Sequence, residues 1–200
     1  MIPPAKIPPR ATPIPIVANF SSIGLIINKK CVLVKERKLR YNKWRLPIME
    51  ITKIKDDSFR IKGKEAIAEI DLATGSLKIE DFTISGPGEY EVRGVIALGI
   101  AVPQKVYCLT VDNVRICALT LITDKFTNDQ AESLGDVDIL LLDTRNSPEI
   151  VAQLTPRIVI PAGETEKFLR DMGKEGIALQ PKLSITKDKL PEELQVVLLK

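Results

Sequence analysis

Histidine is missing from all 200 residues. That absence removes the side chain most often used as general base near neutral pH, and the commonest nitrogen ligand for zinc. It leaves no Ser-His or Cys-His pair to activate a nucleophile. Cysteine is scarce, with three residues at 31, 108 and 117. That number excludes a dense disulfide scaffold, and the spacing excludes a paired-thiolate metal knuckle. Aromatics make up 4% of the chain. No apolar run approaches the roughly 18 residues a membrane-crossing helix needs. No G-x-x-x-x-G-K-[ST] loop is present, and Gly86-x-Gly88 lacks the remainder of a dinucleotide fingerprint. The start, Met1-Ile-Pro-Pro-Ala-Lys, has no apolar signal-peptide core. A cytoplasmic protein without a membrane partner is the expectation.

Proline and positive charge, by contrast, crowd the first part of the chain. Pro3, Pro4, Pro8, Pro9, Pro13 and Pro15 forbid helix and central strand and predict an extended arm. A solvated tail accounts for it more simply than a ligand for a proline-binding groove. Ten basic residues stand against the single acid Glu36 before Pro47, although the whole chain sums to only +3. The remainder is therefore net negative, and the split predicts two pieces: an extension, 1–47, and a domain, 48–200. Within the extension, residues 23–34 read as a hairpin around Asn28-Lys29-Lys30. Lys35, Arg37, Lys38, Arg40, Tyr41, Lys43, Trp44 and Arg45 come next, a basic run interleaved with aromatics. Such a run can neutralise phosphates and stack on bases, making nucleic acid a candidate partner. A solvated linker is the plainer reading of the same residues.

The domain is organised around Ile84-Ser-Gly-Pro-Gly-Glu-Tyr-Glu-Val-Arg-Gly-Val-Ile-Ala-Leu-Gly-Ile100. Its Gly-Pro-Gly predicts a tight turn, and the residues after it predict strands, with Gly94 and Gly99 at bulges or close approaches. Glu89 and Glu91 share one strand face, as a solvated edge would arrange them. Val106–Val111 and Val114–Leu119 flank Asp112-Asn113, predicting a two-residue hairpin that sets Cys108 opposite Cys117 in a non-hydrogen-bonded pair. A cross-strand disulfide is geometrically possible there, but in a reducing compartment two packed thiols are expected. Thr127 to Gln130 forms a capping box for a short helix ending before Gly135. Val137–Leu142 reads as a strand buried on both faces and closed by Asp143. Ser147-Pro148-Glu149 predicts an N-cap, a proline at N1 and a first-turn acid. Arg157–Pro161 predicts another strand, and a helix with Phe168 and Leu169 inward runs from Thr165 to Met172.

The Ser-Gly-Pro-Gly-Glu-Tyr-Glu turn, the opening stretch from Met49 to Lys64 with Ile51, Ile54, Phe59 and Ile61 inward, and Arg157-Ile-Val-Ile-Pro161 resemble the metallo-β-lactamase superfamily. The likeness is to its small lactonase-like Zn-dependent hydrolase branch and covers about Met49 to Lys200. It implies an α/β fold, an αββα sandwich, here reduced and carrying a basic, proline-rich extension. It also implies metal ligands that this chain replaces. The Gly-His pair of the first turn is Lys55-Asp56, and the His-Leu-Gly-Asp turn is Ala118-Leu119-Thr120-Leu121. Gly163 stands at the last histidine. Asp71 matches a retained aspartate, but the His-x-His-x-Asp-His loop expected next is missing, since Leu72 to Asp81 runs directly through a Thr74-Gly75-Ser76 turn.

The resemblance and its missing ligands together imply a catalytically inactive domain working as a binding or scaffold module, without a metal or other cofactor. A homo-oligomer or another protein would cover surface left by the lost loop and helix. The alternative is a hydrolase of lactones, esters or phosphoesters with a rebuilt carboxylate site, for which Asp71, Asp124 and Asp143 with a cysteine are the available residues, or one completed by a partner. Hard carboxylates alone would favour magnesium, calcium or manganese over zinc. A lone aspartate closing a strand, as Asp143 does, is ordinarily a turn former.

Overall fold

The structure, a computed structural model, describes residues 48–101, 105–122 and 125–200. The extension 1–47, including the expected hairpin and the basic run, lies outside the described residues. The chain begins as a meander of strands β1 (Met49–Lys55), β2 (Ser58–Lys62), β3 (Ile67–Asp71), β4 (Ser76–Ile79) and β5 (Phe82–Ile84). It then crosses to β6 (Gly88–Val92), β7 (Val95–Ala101), β8 (Lys105–Val111) and β9 (Val114–Leu119). Helices now alternate with strands: α1 (Asn128–Leu134), β10 (Ile139–Asp143), α2 (Glu149–Leu154), β11 (Ile158–Ala162) and α3 (Thr165–Asp171). The end is made of short strands β12 (Leu179–Gln180), β13 (Leu183–Ile185), β14 (Gln195–Val196) and β15 (Leu198–Leu199).

Two sheets result. The first runs β13-β1-β2-β3-β4-β5 and the second β14-β11-β10-β9-β8-β7-β6. Period-two alternation explains why they stack. Ile51, Phe59, Ile61, Ala68, Ile70, Leu77 and Ile79 of the first sheet share one buried core with Ala97, Leu109, Ile116, Ile139, Leu141 and Ile160 of the second. The other face of the second sheet, with Cys108, Leu119, Leu140, Leu142 and Val159, packs on Phe126, Leu134, Ile150, Val151, Leu154 and Phe168 beneath the helices. The second sheet is therefore apolar on both faces, as the continuous Ile139–Asp143 run requires.

The first sheet has a polar outer face. Arg60 Nε donates to Glu69 Oε1 at 2.9 Å across β2 and β3, and Lys182 reaches Glu50 at 2.7 Å. Among the described residues the helices pack on the outer face of the second sheet.

Several local expectations are met and several are corrected. The β8–β9 register places Cys108 opposite Cys117, across a turn in which Asp112 and Asn113 have φ of 49° and 67°. The two sulfurs are bonded, at a Cα separation of 4.1 Å, so the expected pair of thiols is replaced by a disulfide. Backbone closeness at a non-hydrogen-bonded pair permits the bond. Ile54, expected inward, is 44% exposed, because the β1–β2 register shifts between Lys53 and Lys55 and turns it outward. The α1 capping box forms as expected. In α2, Pro148 rather than Ser147 occupies the N-cap, while Ser147 Oγ accepts from Glu149 N at 3.3 Å. Gly99 is a close approach: a β-carbon there would lie 2.5 Å from the Gly86 carbonyl oxygen. Gly94, at φ 74°, belongs to the β6–β7 turn, with no neighbour within 4 Å of a β-carbon.

Candidate functional site

Parallel strands β10 and β11 end side by side, with Asp143 opposite Ala162. The chain leaves both at the same edge, and the loops beyond them line an open cleft of about 640 Å³. Asp57, from the β1–β2 turn, lines it too, together with Thr144, Gly163, Glu164, Lys167 and Asp171. The carboxyl ends of parallel strands are where such sheets place ligand sites, because the loops there are free to vary.

Asp143 is the chemical centre of this edge, and its side chain is 2% exposed. The Arg145 backbone N–H donates to Oδ1 at 2.9 Å, and its Nε sits 3.0 and 3.1 Å from the two carboxylate oxygens. Arg145 Nη2 adds a further contact at 2.5 Å. Burial by itself would raise the Asp143 pKa, but the Arg145 side-chain and backbone hydrogen bonds and its charge outweigh this and lower it. Arg145 is raised in turn by the hydrogen bond and charge of Asp143, opposed by partial burial, with the charge of Asp57 adding to the raise.

Asn146, buried beside this pair, holds the edge together. Its Nδ2 donates to the carbonyls of Thr120 and Asp143 at 3.0 and 2.9 Å, and its Oδ1 accepts from Ile122 N at 2.7 Å. Asn146 thereby ties the segment after β9 to the loop after β10. Neither Arg145 nor Asn146 stood out as a candidate in the sequence. The turn-forming run Asp143-Thr-Arg-Asn-Ser-Pro148 was the available signal.

The expected ligand positions are dispersed. The Asp56 side chain is 97% exposed and stands 4.0 Å from Lys53. Ala118 is buried between the sheets, opposite Tyr107. Leu121 is partly exposed beyond β9. Gly163 lies at the cleft with φ 88°, where a β-carbon would be 3.0 Å from Thr144 Oγ1 and 3.8 Å from Asp57 Oδ1. Asp71 does not line this cleft. It accepts from Ser58 Oγ at 2.8 Å and from Thr74 N and Oγ1 at 2.8 and 3.0 Å, closing the β3–β4 turn. Burial opposes its ionisation, but the Thr74 and Ser58 hydrogen bonds prevail and lower its pKa. Asp124 and the basic residues Lys35 to Arg45 lie outside the described residues.

A second buried carboxylate, Asp138, has no counterpart among the sequence candidates. It accepts from Arg115 N at 2.8 Å and from Lys187 Nζ at 2.5 Å, pinning the start of β10 to β9 and to the turn after β13. Nothing in its immediate neighbours signals this, since Lys187 is 49 residues away.

The architecture, a two-sheet sandwich whose mixed second sheet carries the helices on its outer face, is a metallo-β-lactamase-type α/β fold. Its structural neighbours include a crystal structure from Thermotoga maritima assigned as a Zn-dependent hydrolase of the metallo-beta-lactamase superfamily, at TM-score 0.63 and 18% identity. The match covers 76% of this chain and 98% of that one, and at this identity the likeness is one of fold. No protein-family model and no curated protein sequence matches the chain.

A zinc ion is the group such a neighbour implies, and the donors here do not fit it. The chain has no imidazole. Among the described residues no three Cys, Asp or Glu side chains are grouped to hold a metal. The buried carboxylate at the cleft, Asp143, is already engaged on both oxygens by Arg145.

Proposed function

We propose that residues 48–200 form a catalytically inactive metallo-β-lactamase-like domain that serves as a binding or scaffold module. The observation that carries this reading is the backbone at Gly163. A left-handed φ of 88° and the nearness of Thr144 Oγ1 disfavour any side chain at the position where the resemblance places a metal-binding histidine. The exposed Asp56, the apolar Ala118 and Leu121, and the missing loop after Asp71 support the same reading. Cleft chemistry agrees with it, because a zinc-activated water requires ligands that leave an open coordination position, and this donor set supplies none.

The test is elemental analysis of the purified full chain, paired with assays on lactones, esters and phosphoesters. Absence of stoichiometric metal and of turnover is expected. One firmly held metal per chain, with hydrolysis that disappears when it is chelated, would overturn the reading in favour of a rebuilt hydrolase. Mass in solution, measured on the same sample, checks the proposal that the domain works as a homo-oligomer or with another protein. A further reading, association with nucleic acid through the extension, is favoured by its ten basic residues against one acid.

A further inference from the structure

The disagreement between the cleft and a metal has a physical counterpart in Arg145. At the ends of β10 and β11 a buried carboxylate, Asp143, lines one cleft together with the half-buried Asp57 of the β1–β2 turn. A buried carboxylate without a compensating cation is strongly disfavoured, so something positive must stand there. We propose that the Arg145 guanidinium is that cation: an internal, covalently tethered charge that occupies the cleft in place of a divalent ion and closes it to one.

Three observations carry the proposal. Arg145 engages both oxygens of Asp143 through Nε at 3.0 and 3.1 Å, with Nη2 at 2.5 Å, and its own backbone N–H adds a bond at 2.9 Å. A planar guanidinium matches a carboxylate in this way better than an ammonium, which makes the position specific for arginine. The Arg145 side chain is 62% exposed while that of Asp143 is 2% exposed, and both line the cleft. Finally, Gly163 lies beside both Thr144 and Asp57 at the strand ends, and the loop after β10 is clamped by the buried Asn146. The buried Asp143 carboxylate, on that clamped loop, does not swing freely into solvent when its cation is removed.

The inference deepens the reading of an inactive domain and rests on it, yet it can fail separately, because wild-type metal content tests that reading alone. The experiment is thermal unfolding of the full chain as wild type, Arg145→Ala, Arg145→Lys, Asp143→Asn and the double variant Arg145→Ala/Asp143→Asn, each with and without millimolar Mn²⁺. Manganese is the probe because oxygen donors without imidazole suit it. Arg145→Ala is expected to lower Tm by roughly 6–20 °C, the range for orphaning a buried charge in a chain of this size. Arg145→Lys should fall between, and the double variant should recover most of the loss. Mn²⁺ should leave wild type unmoved and raise the Tm of Arg145→Ala by a few degrees. If Mn²⁺ raises wild type, the cleft still takes a metal beside Arg145 and the proposal fails. It fails equally if Arg145→Ala ignores Mn²⁺, or if the two substitutions are merely additive, since Arg145 would then be an ordinary turn-closing side chain.

Discussion

Gly163 and Thr144 show how little space the strand ends leave. Replacing Gly163 by alanine forces an L-residue into φ 88° and sets its β-carbon 3.0 Å from Thr144 Oγ1. The expected cost is about 1–2 kcal/mol, read as a lower urea midpoint at unchanged slope. Gly163→His should be at least as destabilising and should bring no zinc into the purified protein, because a single imidazole finds no partner ligands there. Asp71 offers a pH test. Its folded pKa lies below the unfolded value, so the stability it contributes is fully present above the ordinary carboxylate range near about 4 and is lost as pH falls through the folded value. Asp71→Asn should therefore be less stable than wild type at pH 7, by about 1–2 kcal/mol for the weakened turn. The gap should narrow below pH ~4. A gap that stays constant to low pH would mean the carboxylate's charge contributes nothing to the Ser58–Thr74 turn.

At the scale of elements, the β8–β9 hairpin joins two effects. Its turn residues favour the left-handed conformations the connection needs, and its register brings two cysteines together under the helical layer. Closing so short a loop contributes about 2–3 kcal/mol in the chain-entropy description. Cys117→Ala should lower the urea midpoint accordingly. In alkylation of the unfolded protein, Cys108 and Cys117 should react only after reduction; prompt labelling of both without reductant would mean the pair is reduced. At the edge of the second sheet, β7 is held close to the Gly-Pro-Gly turn by the bare α-carbon of Gly99. Gly99→Ala should cost about 1–3 kcal/mol by pushing that turn away from the strand, again readable from urea unfolding.

Among the described residues the two sheets differ: one is covered by helices, while the other carries the ion pairs Arg60–Glu69 and Lys182–Glu50 on its outer face. Such exposed pairs contribute little each, so that outer face tolerates change far better than the core. The larger asymmetry is of charge, since the basic residues of 1–47 precede a net negative domain. If that extension binds nucleic acid, affinity for a single strand must fall steeply with salt and vanish when 1–47 is deleted. Binding that ignores salt, or survives the deletion, would rule the extension out as the contact.

Strand and helix placement was largely legible in the chain because it stems from local patterns. The Thr127–Gln130 capping box, the Asp112-Asn113 turn and the apolar Ile139–Leu142 run each specify their own backbone. The absence of histidine was likewise visible without coordinates, and it bears on chemistry directly. Ile54 went the other way, because a bulge depends on the partner strand and not on alternation within β1. The disulfide went against a compartment argument, which concerns surroundings and not geometry. Only the tertiary structure decided the cleft itself: which carboxylates share it, that Asn146 clamps it, and that Arg145 neutralises its buried Asp143. Those relations join residues from separate strand ends, and proximity across a sheet edge is set by packing, to which no local pattern of residues refers.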